Sequence, residues 1–210
     1  SGPGVQEIPS WSHDGSWLAF DGSDVPLDDP DFWVTLRRIA ADGSGLELLG
    51  DPNTFDTEPR ISPDGTEVVF VRYRPEADWA SEMVVRDLAS GEERIVVPSG
   101  VPVEHPEWAP DGTSLVFNAA DWAPDARTIY TLDLNTPEAA PAVLLDPATG
   151  WGGVKPVYSP DGSRIVFVCV PTDREGDDLC VMDADGSNVT PLVDAPDSAE
   201  NHPTWGVAAS

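Results

Sequence analysis

Residues 105–117 read HPEWAPDGTSLVF, and the same wording returns as EPRISPDGTEVVF at 58–70 and KPVYSPDGSRIVF at 155–167. A looser copy, IPSWSHDGSWLAF, stands at 8–20, and HPTWG at 202–206 begins another. Aligned on Pro9, Pro59, Pro106, Pro156 and Pro203, the copies are spaced by 50, 47, 50 and 47 residues. A regular period of this length marks a repeat architecture.

Each repeat follows one grammar. A short stretch around Trp11, Ile61, Trp108, Tyr158 or Trp205 reads as a first strand, and Asp-Gly then signals a tight hairpin turn. An apolar second strand ends in Phe20, Phe70, Phe117 or Phe167. A polar loop of variable length leads to a third strand (WVTLRRI, EMVVRDL, TIYTLDL, LCVMD), and a second turn leads to a fourth (LELLG, RIVVP, AVLLD, TPLVD). The 22 prolines and 18 glycines leave no room for a long helix. Four short antiparallel strands per repeat predict an all-β chain of β-propeller blades, four complete and a partial fifth. The blades fall near 8–54, 55–101, 102–151 and 152–199, with the partial copy at 200–210 and a vector scar or linker at 1–7. Stacking buries the blade faces, so the Trp, Tyr and Phe positions are expected between blades. Because the chain begins and ends on a first strand, ring closure calls for further blades or a second copy of the chain.

The pattern P-x-W-S-P-D-G-x-x-[IL]-x-F, closed by a turn such as MDADGS at 182–187, resembles the WD40-like (PD40) repeat of the TolB-like propeller family. The resemblance spans almost the whole chain. His13 stands in for the motif proline, Ile61 for Trp and Gly206 for Ser. It implies a propeller that binds a partner, protein or glycan, outside the cytoplasm. The family also contains oligogalacturonate lyases, which hold a metal with channel histidines, and cap domains of prolyl-oligopeptidase-type enzymes. An enzyme-associated propeller is therefore the alternative reading.

Net charge is −27, from 38 acidic and 11 basic residues, with Lys155 the single lysine. Such a surface repels phosphate backbones and excludes nucleic-acid binding, while leaving cationic partners and divalent ions open. The same acidity also serves solubility and fits a GC-rich or halophilic origin. No apolar run is long enough to span a bilayer. Cys169 and Cys180 lie on strands expected to be neighbours, which permits either a cross-strand disulfide, suited to an exported protein, or two buried thiols.

The residue before each proline changes from copy to copy: Ile8, Glu58, His105, Lys155, His202. In a propeller these positions ring the channel mouth. His105, His202 and Glu58, with Glu104 or Asn201, have donor types that suit a divalent metal, and they equally suit a solvated channel. The loops between second and third strands repeat ADWA, placing Trp79 and Trp122 where they either grip a ligand or fold back on the rim. No catalytic motif stands in the sequence: neither G-x-S-x-G, H-E-x-x-H nor a P-loop. The DADGS turn at 183–187 lacks the glutamate that a calcium-binding EF-hand requires. A binding scaffold without catalysis is the reading these features favour.

Overall fold

The computed structural model describes residues 4–119, 127–136, 138–171, 177–193 and 203–205. Its described strands form four antiparallel sheets, each of four strands in chain order. The first sheet contains β1 (Gln6–Trp11), β2 (Trp17–Gly22), β3 (Thr35–Ala40) and β4 (Glu47–Leu48). The second contains β5 (Phe55–Ile61), β6 (Glu67–Arg74), β7 (Ala80–Asp87) and β8 (Glu93–Val97). The third comprises β9 (Val103–Trp108), β10 (Ser114–Ala119), β11 (Ile129–Asp133) and β12 (Ala142–Leu145). The fourth comprises β13 (Trp151–Tyr158), β14 (Arg164–Pro171), β15 (Asp178–Asp183) and β16 (Thr190–Val193). The all-β, four-stranded organisation read from the repeat is the one observed. The sheets group into two compact units, Ser1–Pro102 and Val103–Ser210.

The S-P-D-G-T wording explains its own recurrence. In the β5–β6 turn, Asp64 Oδ1 accepts from Ser62 Oγ at 2.7 Å, Thr66 N at 3.0 Å and Thr66 Oγ1 at 2.8 Å. Ser62 Oγ in turn accepts from Glu67 N at 2.9 Å, so one hydroxyl and one carboxylate close the whole turn. Gly65, at φ +74°, takes the left-handed step that the turn requires. Ser12, Asp14 and Ser16 repeat this network in the first sheet, and Ser159, Asp161 and Ser163 in the fourth. These donors hold the Asp14 and Asp161 carboxyls down at about 2, chiefly through Ser16 and Ser159 respectively.

Within the first unit, Ala19 and Leu36 of the first sheet, with Leu49 just after β4, pack with Ile61, Val68, Phe70 and Val84 of the second. Within the other, Val116, Ile129 and Leu145 meet Ile165, Phe167, Cys169, Cys180 and Met182. Phe70, Phe117 and Phe167 are fully buried. The motif Phe is therefore the anchor of each core.

The Trp position behaves less uniformly than expected. Trp108 is 4% exposed, but Trp11 is 57% exposed and corrects the expectation that every such ring is buried. The direction of packing supplies the reason. Ile61 packs on the sheet that precedes its own, and Trp205 Nε1 donates to Val157 O of the preceding sheet at 3.0 Å. Trp11 belongs to the first sheet, so no earlier sheet among the described residues covers it. Replacing Trp108 with Ala should cost about 3–5 kcal/mol in denaturant melts of this chain. Trp11→Ala should stay within about 1 kcal/mol.

Cys169 and Cys180 are joined by a disulfide, with Cα atoms 5.6 Å apart and both side chains fully buried. Strand pairing puts Cys180 opposite Phe167 and Cys169 opposite Asp178, so the bridge crosses the β14–β15 pair diagonally. Its short loop predicts that the Cys169→Ala/Cys180→Ala chain loses about 2–3 kcal/mol. Intact mass measured without reductant should show the two-hydrogen deficit of the bridge.

Candidate binding site

The variable residue before each proline occupies a special backbone position. Ile8, Glu58, His105 and Lys155 all have positive φ, at 45°, 57°, 53° and 55°. Strand pairing slips at the same points, between Glu7 and Ser10, Thr57 and Arg60, Glu104 and Glu107, and Val154 and Val157. Proline has no N–H for a ladder, and the first strand lies at the sheet edge, where proline and bulges are tolerated. In two repeats the residue before it turns its own N–H toward the preceding sheet of the same unit. Glu58 N donates to Asp21 Oδ2 at 2.7 Å, and Lys155 N donates to Asn118 Oδ1 at 3.0 Å.

In the second unit, Asn118 is fully buried and its Nδ2 donates to Ala119 O at 2.8 Å. His105 Nδ1 lies 3.2 Å from Asn118 Oδ1. Since that oxygen accepts, Nδ1 carries the hydrogen. Glu104 pairs with Asn118 across the β9–β10 ladder. Glu104, His105 and Lys155 are thus gathered around one buried amide.

The first unit carries a cavity of about 430 Å³. Leu27, Phe32, Val34, Phe55 and Tyr73 give it apolar and aromatic walls, and Glu7, Asp21 and Glu58 add carboxylates. Asp21 and Glu58 are only 4% and 8% exposed. Burial pushes the Asp21 carboxyl up to about 7, against the Glu58 N–H that it accepts. The charges of Glu58 and Glu7 push it the same way as burial, and Arg60 opposes them weakly.

Aromatic rings extend this wall outward. Phe55 makes edge-on contacts with Trp33, Tyr73 and Trp79 at centroid distances of 5.4, 6.1 and 5.2 Å. Trp33 is fixed by Nε1 donating to Thr54 O at 3.0 Å. Trp79 remains 48% exposed, on a loop where Asp78 and Trp79 both take left-handed φ. For non-glycine residues that conformation is strained and concentrates at binding sites.

Of the residues singled out from sequence, Glu58 is in this cavity and Trp79 stands on the adjoining aromatic cluster. Trp122, Asn201 and His202 lie outside the described residues. Among the described residues, no three His, Cys, Asp or Glu side chains come together in a group able to hold a metal ion. Sequence reading missed Glu7, Asp21, Phe32, Phe55 and Tyr73. One signal was present: the residue after the motif Phe is polar in Asp21 and Asn118 but apolar in Val71 and Val168.

Residues 31–208 match the model of the TolB beta propeller domain, PD40. The chain belongs to the TolB β-propeller family. The Tol-Pal system protein TolB of Anaeromyxobacter dehalogenans is 30% identical over 180 residues, covering 82% of this chain and 38% of the relative. The crystal structure of TolB from Acinetobacter baumannii superposes with a TM-score of 0.71 at 19% identity, over 90% of this chain and 43% of that one. An oligogalacturonate lyase in complex with manganese superposes at 0.63 and 20% identity, over 91% of this chain and 54% of the lyase, and shares the fold. This TolB-family chain spans less than half the length of these two TolB proteins.

Asp21 sets a pH test. Its folded pKa of about 7 lies above the ordinary 3.8, so the folded state binds the proton more tightly than the unfolded state. Stability should fall as pH rises from about 4 through 7, with the full penalty present above that. Asp21→Asn keeps the acceptor for Glu58 N–H, as Asn118 does for Lys155. It should match the parent near pH 4 and exceed it by about 1–4 kcal/mol at pH 8 in urea melts.

Proposed function

We propose that this propeller is a non-catalytic binding module that engages a protein partner outside the cytoplasm through the Trp79–Phe55 face of its first unit. The observation that carries this reading is Trp79 itself. A large ring is held half-exposed on a strained backbone, with its inner edge on Phe55 of the cavity wall. Aromatic anchors beside a concave site are the usual centres of binding energy at protein interfaces. The buried disulfide supports an oxidising compartment. The acidic surface speeds encounter with cationic segments.

The exposed ring is also of a kind on which sugars stack, so peptides and glycans must be tested side by side. Labelled chain applied to a random peptide array and an oligosaccharide array should be retained on peptides. Trp79→Ala should reduce that retention at least about tenfold while leaving the melting transition unchanged. Retention on oligosaccharides alone would overturn the assignment of a protein partner.

A further inference from the structure

Each unit builds the same interface once. The back face of its earlier sheet (Ala19 and Leu36, or Val116 and Ile129) takes the front face of its later sheet (Val68 and Phe70, or Ile165 and Phe167). The front face of the first sheet stands outside this pattern. Trp11, in the place of Ile61, is 57% exposed. Beside it runs an apolar groove of about 270 Å³ whose lining includes Pro9, Leu18, Phe20 and Ile39. Directly paired residues share one side of a sheet, so Arg37, opposite Phe20, and Thr35, opposite Gly22, belong to this face. Thr35 Oγ1 and Arg37 Nε are buried there with no hydrogen-bond partner among the described residues. Such atoms are rare in a completed interior.

The fourth sheet has the opposite deficit. Strand pairing puts Leu179 where Leu36 and Ile129 stand in the earlier sheets, one residue past the motif Phe on the facing strand. Val193 stands next to Leu179 as Leu49 does to Leu36 and Leu145 to Ile129. Leu36 and Ile129 are fully buried, whereas Leu179 is half-buried. Val193 is 37% exposed, against 7% for Leu49 and 3% for Leu145. An uncovered front face and a partly covered back face are the two halves of the interface that each unit makes internally.

We infer that this chain associates head to tail with a second copy, the front face of one copy's first sheet seating on the back face of the other's fourth. The fourth sheet already receives a motif tryptophan, since Trp205 Nε1 donates to Val157 O at 3.0 Å. In the first unit Ile61 holds the same place, its N donating to Ser10 Oγ at 3.1 Å. Trp11 is the same motif residue, so a second copy's Trp11 competes with Trp205 for that place. Residues 203–205 thus act as a plug that weakens association. Front-to-front pairing would leave Leu179 and Val193 wet, and a polar partner would leave the groove wet. The head-to-tail contact covers all of these surfaces, and apolar burial drives it. Because it joins two different faces, it either closes on itself or extends to further copies.

The test is sedimentation velocity of the whole chain over about 1–100 µM. Species of two or more copies should appear as concentration rises, and Trp205→Ala should tighten the association at least about threefold by removing the competitor. Trp11→Asp, on the front face, and Val193→Asp, on the back face, should each stay monomeric with melting transitions close to the parent's. Mixed in equal amounts they should form a one-to-one pair and nothing larger, because each supplies the face that the other lacks. If either aspartate variant unfolds, Trp11→Ser and Val193→Ser carry the same mixing experiment. Parent and Trp205→Ala chains that both remain monomeric overturn the inference, and the front face then belongs to a sheet of another polypeptide segment. Association lost in Trp11→Asp but kept in Val193→Asp overturns it in favour of front-to-front pairing. Folded variants that fail to pair when mixed also overturn it.

Discussion

One missing hydrogen organises much of this molecule. The motif proline has no N–H to offer its neighbouring strand, so pairing between first and second strands breaks at Pro9, Pro59, Pro106 and Pro156. The residue before it absorbs the break by entering the left-handed region, at a cost of about 1–2 kcal/mol for an L-residue with a side chain. That rotation releases its N–H from its own sheet. In two places the freed group is taken up by the preceding sheet, through Asp21 and Asn118. A local defect thereby becomes a tie between neighbouring blades within each unit. The hydrogen bond to Asp21, charged in its ionised form, contributes stability of the same order as the strain it accompanies.

This arrangement also answers why the residue before the proline is free to differ. Its structural duty is carried by backbone atoms, which Ile, Glu, His and Lys supply equally well. The side chain is left to the local environment. In the first unit that environment is a cavity with buried carboxylates, and in the second it is a neutral amide with His105 beside it. Two environments of different chemistry thus stand on one backbone device.

The blade architecture was legible in the sequence because its determinants are local and repeated. Ser62, Asp64, Gly65 and Thr66 lie within five residues and close one turn among themselves. The motif Phe alternates inward on a strand whose period is short. The cavity was not legible, because its wall joins Leu27, Phe32, Phe55 and Tyr73 from separate elements that only sheet packing brings together. Exposure of Trp11 was hidden for a related reason. Its sequence neighbourhood matches that of Trp108, yet Trp11 is exposed and Trp108 is buried, a difference that no local motif encodes. The cysteines were intermediate: adjacency of their strands followed from the hairpin grammar, but the bond itself required the observed geometry.

The large negative charge separates into groups with opposite physical roles. Asp14, Asp64, Asp111 and Asp161 in the first turns, and Asp42 and Asp185 in the second, are held below the usual carboxylate range by Ser and Thr donors around them. Their ionised form is the one the turns bind, so these charges reinforce the fold. Asp21 is displaced the other way, because burial and the charges of Glu58 and Glu7 oppose its ionisation. A carboxylate that the fold resists ionising, at a position where Asn118 shows an amide to be sufficient, is not explained by solubility or by the repeat. Its ionisation is therefore set by the buried wall on which it stands, and not by the turn chemistry that holds the other carboxylates down.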